Sequence, residues 1–259
     1  MVHVAYLPVL RVLRDLYLQP PDTQRFRRYV ETLTDGSDDV VLPIGVANPM
    51  AKEHAVTRID DLLAMGADEL AAEAAGNAQM RLAQVQLNVE IKATLVLADD
   101  VGGGWTNRYT TEASVRFPCR GALKRPFATA IAWTSELPSS AHIREEVLAA
   151  IYRVAHQQRH GLPVTLAEML EQEGLAGAFA GTRPALARDD LRRARGIVAA
   201  LGDDPAYPKV FACMYGDAAA EQLGYQPLGL SARAGFAVAV ADALGRGVDP
   251  VVALVRQEG

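Results

Sequence analysis

One run of apolar residues limits most strongly what this chain can fold into. Residues 87–97 alternate apolar and polar side chains at first and then become continuously apolar. This change is typical of a strand that passes from a half-covered sheet edge into a hydrophobic core. The sequence therefore predicts a central β-strand here.

Two further β-prone runs follow the central strand, at residues 109–117 and 127–133. Both are rich in β-branched or aromatic residues. The connections between the three runs look too short for a crossover helix, which favours antiparallel pairing. We expect an α+β protein in which a small antiparallel sheet of three to four strands, at about 87–133 and with 39–44 as the optional fourth strand, packs within a predominantly helical shell.

The N-terminal segment carries two helical patterns. Apolar residues recur at helical spacing from Tyr6 to Tyr17, which predicts the first helix. Asp22 is a suitable N-cap for a second helix that ends near Gly36. Arginines at positions 25, 27 and 28 of this helix are expected on its solvent face.

A strand-to-helix corner is predicted at residues 39–50. Asn48 and Pro49 fit the N-cap and first position of a helix. This placement puts Lys52 and His54 near the helix start, where free N–H groups and the helix dipole attract anions. The two residues are therefore candidate substrate-binding groups, and the alternative is a capped helix with exposed charges.

The remaining chain reads as helices. The helical pattern of residues 56–84 breaks once, at Gly66, and helical patterns resume after Pro138 and continue towards the end. Thr165 and Glu168 have the spacing of a capping box. We expect either a single domain over 1–259 or helices plus sheet in 1–138 with a helical C-terminal region, 139–259, packed on it.

Composition restricts the classes of partner. Half of the residues are hydrophobic, 22% are charged, and the formal net charge is −5. This charge argues against nucleic acid as the main partner, and no apolar run reaches the roughly 20 residues of a membrane span. Cys119 and Cys213 lack CxxC spacing and read as reduced thiols. With no leader peptide recognised, we expect a cytoplasmic protein whose oligomeric state the sequence leaves open.

Two adjacent carboxylates follow the central strand. Asp99 and Asp100 come where a rigid strand passes into a loop, a position that often displays catalytic groups. Either residue is a candidate general base or ligand of a divalent metal ion, and His54 is a further metal candidate. The structural alternative is that an aspartate only starts a turn.

Polar and aromatic residues follow three glycines in the same loop. The glycines lack the lysine and hydroxyl ending of a phosphate loop and the spacing of a dinucleotide motif, so no nucleotide-binding signature is present. Trp105, Asn107, Arg108, Tyr109 and Glu112 are candidate substrate-binding residues. An aromatic ring, an amide and a guanidinium suit a small planar or anionic molecule.

A positive segment adjoins these residues. No acidic residue lies between Glu112 and position 136, whereas Arg116, Arg120, Lys124 and Arg125 are all basic. The positive field fits a phosphorylated or carboxylated substrate, and the alternative is protection of a sheet edge by basic side chains.

One histidine pair has metal-ligand spacing. His156 and His160 are four residues apart, but glutamine replaces the glutamate that follows the first histidine in a zincin motif. Their position at a helix end is favourable without metal. We expect these histidines to bind no structural metal.

Two functions remain. The first is an enzyme that acts on a small anionic metabolite at the loop site, with metal-assisted hydrolysis or transfer as one option and the cofactor unidentified. The second is a non-catalytic scaffold that binds a ligand or a protein through the same loop.

Overall fold

The computed structural model describes residues 1–102, 106–202 and 204–255. The chain divides into two compact units, Met1–Gln158 and Arg159–Gly259. The first unit contains the sheet, and its elements in order are β1 (Val2–Tyr6), α1 (Leu10–Tyr17), α2 (Thr23–Thr34), α3 (Glu53–Ala64), α4 (Ala67–Leu82), β2 (Val89–Ala98), α5 (Arg108–Arg116), a 3₁₀ helix (Arg120–Lys124), β3 (Phe127–Trp133) and α6 (Ser140–His160). The unit boundary falls within the last turn of α6.

The sheet has three strands in the order β1-β2-β3, and both pairings are parallel. The expected antiparallel sheet is therefore wrong. Parallel neighbours require crossover connections, and helices α1 to α4 fill the first crossover while α5 and the 3₁₀ helix fill the second. A small parallel sheet among many helices is the observed architecture.

The central strand β2 is confirmed where the sequence predicted it. Its last six residues, from Ala93 to Ala98, are all buried. Val96 pairs with Ile131 and Ala98 with Trp133, and helix α5 contributes Val115 to the cluster around Trp133. Because successive side chains point to opposite faces, this run of buried residues means that both faces of β2 are covered, as is usual in parallel sheets.

The predicted strand at 109–117 is a helix, α5. Asn107 is its N-cap, and the Asn107 side chain accepts a hydrogen bond of 3.1 Å from the Thr110 N–H. Glu112 and Arg116 form an ion pair of 2.7 Å one helical turn apart. These interactions outweigh the β-propensity of the aromatic and β-branched residues in this segment. Residues 39–44 form no strand, and the N–H groups of positions 41 and 42 instead bond the Leu33 carbonyl.

The first strand was missed in the sequence. Val2–Tyr6 forms β1, and the helix that was predicted from Tyr6 begins only at Leu10. Pro8 stands between the two elements, and proline is unfavourable in a helix interior. The outer edge of β1 is partly closed by helix α4, because Gln79 Oε1 accepts a hydrogen bond of 2.7 Å from the Val4 N–H.

Helix α2 begins as predicted, with Asp22 as N-cap accepting from the Arg25 N–H. The Arg25 side chain is nevertheless buried, contrary to the expected solvent face. Its guanidinium donates to the carbonyls of Tyr17 at 3.2 Å, Gln19 at 2.9 Å and Ala51 at 2.6 Å. Arg25 thus connects the end of α1 to Ala51, two residues before the start of α3.

The predicted helix start at Asn48 is wrong. Helix α3 begins at Glu53 with Lys52 at the N-cap position. Asn48 instead forms a turn in which its side-chain oxygen accepts from the Met50 N–H at 2.9 Å. The Asn48 amide is thereby free to point its N–H₂ group at the end of β2.

The second unit is helical. Its helices are α7 (Leu166–Ala180), α8 (Arg188–Leu201), α9 (Tyr207–Tyr215), α10 (Asp217–Gln222), α11 (Ala234–Arg246) and α12 (Pro250–Val255). The capping box of Thr165 and Glu168 is confirmed at the start of α7. Gly177 allows close approach to α11, since a Cβ atom at this position would lie 2.5 Å from Val240 Cγ2. Of the helices in the described ranges, none is long and apolar enough to cross a membrane.

Candidate functional site

Polar side chains meet at the carboxyl ends of β2 and β3. Asp99 and Asp100 directly follow β2, and Thr134, Ser135 and position 136 directly follow β3. Parallel strands end at the same edge of a sheet, so their following residues lie side by side. In open sheets of parallel strands this edge is where ligands usually bind.

His54 and Asp99 form the central contact of this cluster. His54 Nε2 lies 2.8 Å from Asp99 Oδ1. The Asp99 side chain is 2% exposed and that of His54 is 33% exposed. Helix α3 supplies the histidine from its first turn, and the rigid end of β2 supplies the carboxylate. The pair therefore has a buried acid and an imidazole that reaches solvent.

The Asp99 carboxylate is held by further donors. Oδ1 accepts from the N–H groups of Val101 at 3.2 Å and Gly102 at 3.0 Å, and Oδ2 accepts from Asn48 Nδ2 at 3.0 Å. Burial acts to raise the pKa of Asp99, but the hydrogen bonds from His54, Gly102 and Asn48 together hold this pKa below its ordinary value. Asp99 is consequently an ionised acceptor at neutral pH.

The ionised carboxylate fixes the tautomer of His54. A carboxylate has no proton to give, so Nε2 must carry the hydrogen of the 2.8 Å bond. In the neutral imidazole the lone pair is then on Nδ1. This arrangement leaves Nδ1 as a proton acceptor in an imidazole that is partly exposed.

Thr134 links the two aspartates. Its hydroxyl lies 3.1 Å from Asp99 Oδ1 and 3.0 Å from Asp100 Oδ1, and it accepts from the Asp100 N–H at 3.1 Å. Asp100 also accepts from Ser135, through the backbone N–H at 2.9 Å and the hydroxyl at 2.6 Å. Asp100 is thus bonded mainly to the β3 end, whereas Asp99 is bonded to His54.

Arg108, at the start of α5, is bonded to acidic side chains. Its Nη1 lies 3.3 Å from Asp100 Oδ2, and its Nη2 forms an ion pair with Glu136. The guanidinium carbon also lies 4.9 Å from the centre of the Trp133 ring. These contacts join the ends of β2 and β3 to α5, so the guanidinium already contacts two carboxylates of the protein.

The other predicted site residues are spread around this cluster. Asn107 is exposed and caps α5, and Tyr109 lies on the same helix. Glu112 is buried in its ion pair with Arg116. Lys52 is exposed and two residues before His54. Trp105 lies outside the described residues.

Four residues of the cluster were not among the predicted site residues: Asn48, Thr134, Ser135 and Glu136. Asn48 had been assigned to a helix cap. The other three follow the third strand directly, as the aspartates follow the second. Recognition of a parallel sheet would have indicated that these two strand ends lie together.

Across the described ranges, no group of three or more His, Cys, Asp or Glu side chains is placed to hold a metal ion. His156 and His160 both lie on α6, with His160 at its last position. That this histidine pair binds no structural metal stays a prediction.

Comparison with known proteins found no family model, no curated protein and no solved structure that matches this chain. A function is therefore inferred from the chemistry of the cluster.

Proposed function

We propose that the protein is an enzyme in which His54, oriented by Asp99, acts as general base on a small molecule. The single observation that carries this proposal is the 2.8 Å contact between His54 Nε2 and a buried carboxylate, made by a histidine whose side chain is 33% exposed. A histidine that is held by an acid and reaches solvent has the arrangement required of a general base.

The proposed reaction is hydrolysis or group transfer. Nδ1 of His54 takes the proton of an attacking hydroxyl group, which belongs to water in hydrolysis and to an acceptor molecule in transfer. The hydroxyl oxygen then bonds the electrophilic centre of the substrate, and the leaving group departs with the electrons of the broken bond. Asp99 keeps its negative charge and stabilises the imidazolium until the proton passes to the leaving group.

We infer a small anionic substrate from the position of His54 on α3. The first-turn N–H groups of this twelve-residue helix and the exposed Lys52 lie beside the histidine in the chain. The positive end of a helix dipole and a lysine favour a phosphate or carboxylate group. Arg108 no longer supports this inference, because its guanidinium contacts Asp100 and Glu136.

A non-catalytic scaffold is the second candidate. It is favoured by the number of contacts that Arg108, Asp100 and Glu136 make with one another, since mutual pairing of this kind also serves to hold loops together. In that case His54 and Asp99 only fasten α3 to the end of β2.

Hydrolysis of p-nitrophenyl phosphate and p-nitrophenyl acetate by the wild type and three variants tests the two candidates. We expect His54→Gln and Asp99→Asn to lose about 10²- to 10⁴-fold in turnover, the usual contribution of a general base. We also expect the phosphate ester to be preferred.

The matched control is His142→Gln. His142 also has a carboxylate neighbour, Glu136 at 3.7 Å, but both side chains are well exposed. Its turnover should equal that of the wild type. If neither ester is hydrolysed above the background rate, or if His54→Gln retains full turnover, the scaffold candidate is favoured.

A further inference from the structure

A cavity of about 200 Å³ lies at the amino-terminal end of β3, within the first unit. Its walls come from α5, the 3₁₀ helix, the start of β3 and α6. We propose that this cavity binds a small amphipathic carboxylate, a molecule with one anionic group on a flat or branched apolar body. The site is separate from the His54 and Asp99 cluster and independent of the proposed function.

The apolar part of the cavity determines the size and the apolar character of the ligand body. Among its lining residues are Val115, Pro118, Leu123, Phe127 and Val154. An apolar cavity of about 150 Å³ is already large enough for a benzene ring. The observed volume therefore accommodates a single ring with a short substituent, and the aliphatic and aromatic walls favour its burial.

The charged part of the cavity determines the charge of the ligand head group. Arg125 and Arg153 line it, and none of the lining residues that the structure describes is acidic. Arg153 is buried, with 4% of its surface exposed. We assign the ligand carboxylate to Arg153, because a guanidinium presents N–H donors in a planar fork that matches the geometry of a carboxylate.

The rim of the cavity contains a second guanidinium. Arg125 forms an ion pair with Asp39, and both side chains are substantially exposed. An exposed pair of this kind is weak and exchanges partners at little cost. Arg125 is thus placed to meet an anion as it enters, while Arg153 lies deeper.

The positive character of this region was visible in the sequence. Residues 113–135 contain no acidic residue and four basic ones. Arg116 lies in a buried pair with Glu112 and near Glu146 at 3.4 Å, so its charge is compensated. Of the four basic residues, Arg125 lines the cavity, where it lies beside an apolar surface.

This cavity lies at the opposite end of β3 from the cluster that contains the aspartates. The cavity is lined by Phe127, Ala128 and Thr129 at the beginning of β3, whereas Thr134 and Ser135 follow its end. Thr129 is five residues before Thr134, and five residues of strand span roughly 16 Å. A ligand of single-ring size therefore does not reach both sites.

The test is binding of three probes of matched size to the full chain: benzoate, benzamide and benzylamine. Calorimetry and amide chemical shifts give the affinity and the residues affected. We expect saturable benzoate binding that shifts residues around the cavity, and binding of the neutral and cationic probes that is at least about tenfold weaker, because charge-assisted hydrogen bonds are the stronger ones. Equal binding of all three probes, or no benzoate binding up to its solubility limit, would overturn the proposal.

Two variants test whether the ligand binds in the cavity. Ala122→Phe fills the space from the 3₁₀ helix, and Ser114→Phe blocks it from an exposed position that does not disturb the core. Each should weaken benzoate binding by at least about tenfold, since a phenyl group occupies the volume of the ligand. Ala199→Phe, at an exposed position on α8, is the control and should bind benzoate like the wild type. Unchanged binding in the Ser114→Phe protein would place any benzoate elsewhere and refute the assignment.

Discussion

His54 Nε2 lies 2.8 Å from Asp99 Oδ1, although the two residues are 45 positions apart in the chain. The contact joins the first turn of α3 to the end of β2, and it decides the orientation of the imidazole. Since the acid is buried and the histidine partly exposed, the pair links the interior of the sheet to the surface.

The stability conferred by Asp99 depends on pH. The pKa of Asp99 in the folded protein is held below its ordinary value by its hydrogen bonds. Its contribution is therefore full above the unfolded pKa of about 3.9 and is lost as the pH falls through the folded pKa. We expect Asp99→Asn to melt below the wild type at pH 7, with a difference that narrows towards pH 3. Thermal unfolding from pH 3 to 7 measures this, with exposed Asp190→Asn as control; a difference that stays constant over the range contradicts the prediction.

Gly102 permits the close approach of the loop to the pair. A Cβ atom at this position would lie 2.5 Å from Asp99 Oδ2 and 3.3 Å from His54 Cε1. Gly102→Ala should therefore displace the carboxylate and change the ring signals of His54 in NMR spectra. Gly76→Ala in α4 is the matched control, because nothing lies within 4 Å of its added Cβ, and it should stabilise the fold by up to about 1 kcal/mol. Unaltered His54 signals in the Gly102 variant would be evidence against this packing.

Arg108 should contribute mainly to the stability of the folded protein. It contacts Asp100, Glu136 and the Trp133 ring, and its side chain is 28% exposed. We expect Arg108→Ala to lose about 1–2 kcal/mol of unfolding free energy, as for a partly buried ion pair with a cation–π contact. Urea unfolding measures the loss, and exposed Arg120→Ala should leave stability within about 0.5 kcal/mol of the wild type. A fully stable Arg108→Ala protein would favour the predicted role of Arg108 in ligand binding.

Arg25 should be more important for stability than its neighbours on α2. Replacement by methionine leaves the carbonyls of Tyr17, Gln19 and Ala51 without these donors. Loss of the buried charge offsets part of the cost, since burying a guanidinium is itself unfavourable. We expect Arg25→Met to lose about 3 kcal/mol in urea unfolding and exposed Arg27→Met to be neutral. Equal stability of the two variants would mean that the three carbonyls are readily satisfied by water.

The sheet was only partly predictable from the sequence. Periodicity correctly located β2 and β3, because a long apolar run predicts a buried strand from the local sequence alone. The direction of pairing was wrong because residues 109–117 have β-prone side chains, and the local signals for a helix, the Asn107 cap and the Glu112 and Arg116 pair, are weak individually. Strand β1 was missed because the helical pattern was extended back to Tyr6, although Pro8 is unfavourable in a helix interior.

The candidate site shows the same limit. His54 and Asp99 were both identified as functional candidates from their local positions. Their meeting depends on where α3 starts relative to the end of β2, which is a property of the tertiary fold. The same is true of Asn48 and Thr134, whose side chains have ordinary local roles and acquire a place in the cluster only through the carboxylate they share.

The parallel arrangement of β1 and β2 has a consequence for biosynthesis. The Thr94 hydroxyl of β2 bonds the Leu7 carbonyl, which follows β1, across 87 residues, whereas Thr134 reaches Asp99 across 35. At the usual rate of translation, 87 residues take roughly 4 to 17 s to emerge from the ribosome. During that interval β1 has no strand to pair with, and closing the longer loop also carries the greater entropy cost. The nascent chain therefore carries β1 without its partner strand for seconds, and the backbone groups that later pair with β2 are open to other partners during that time.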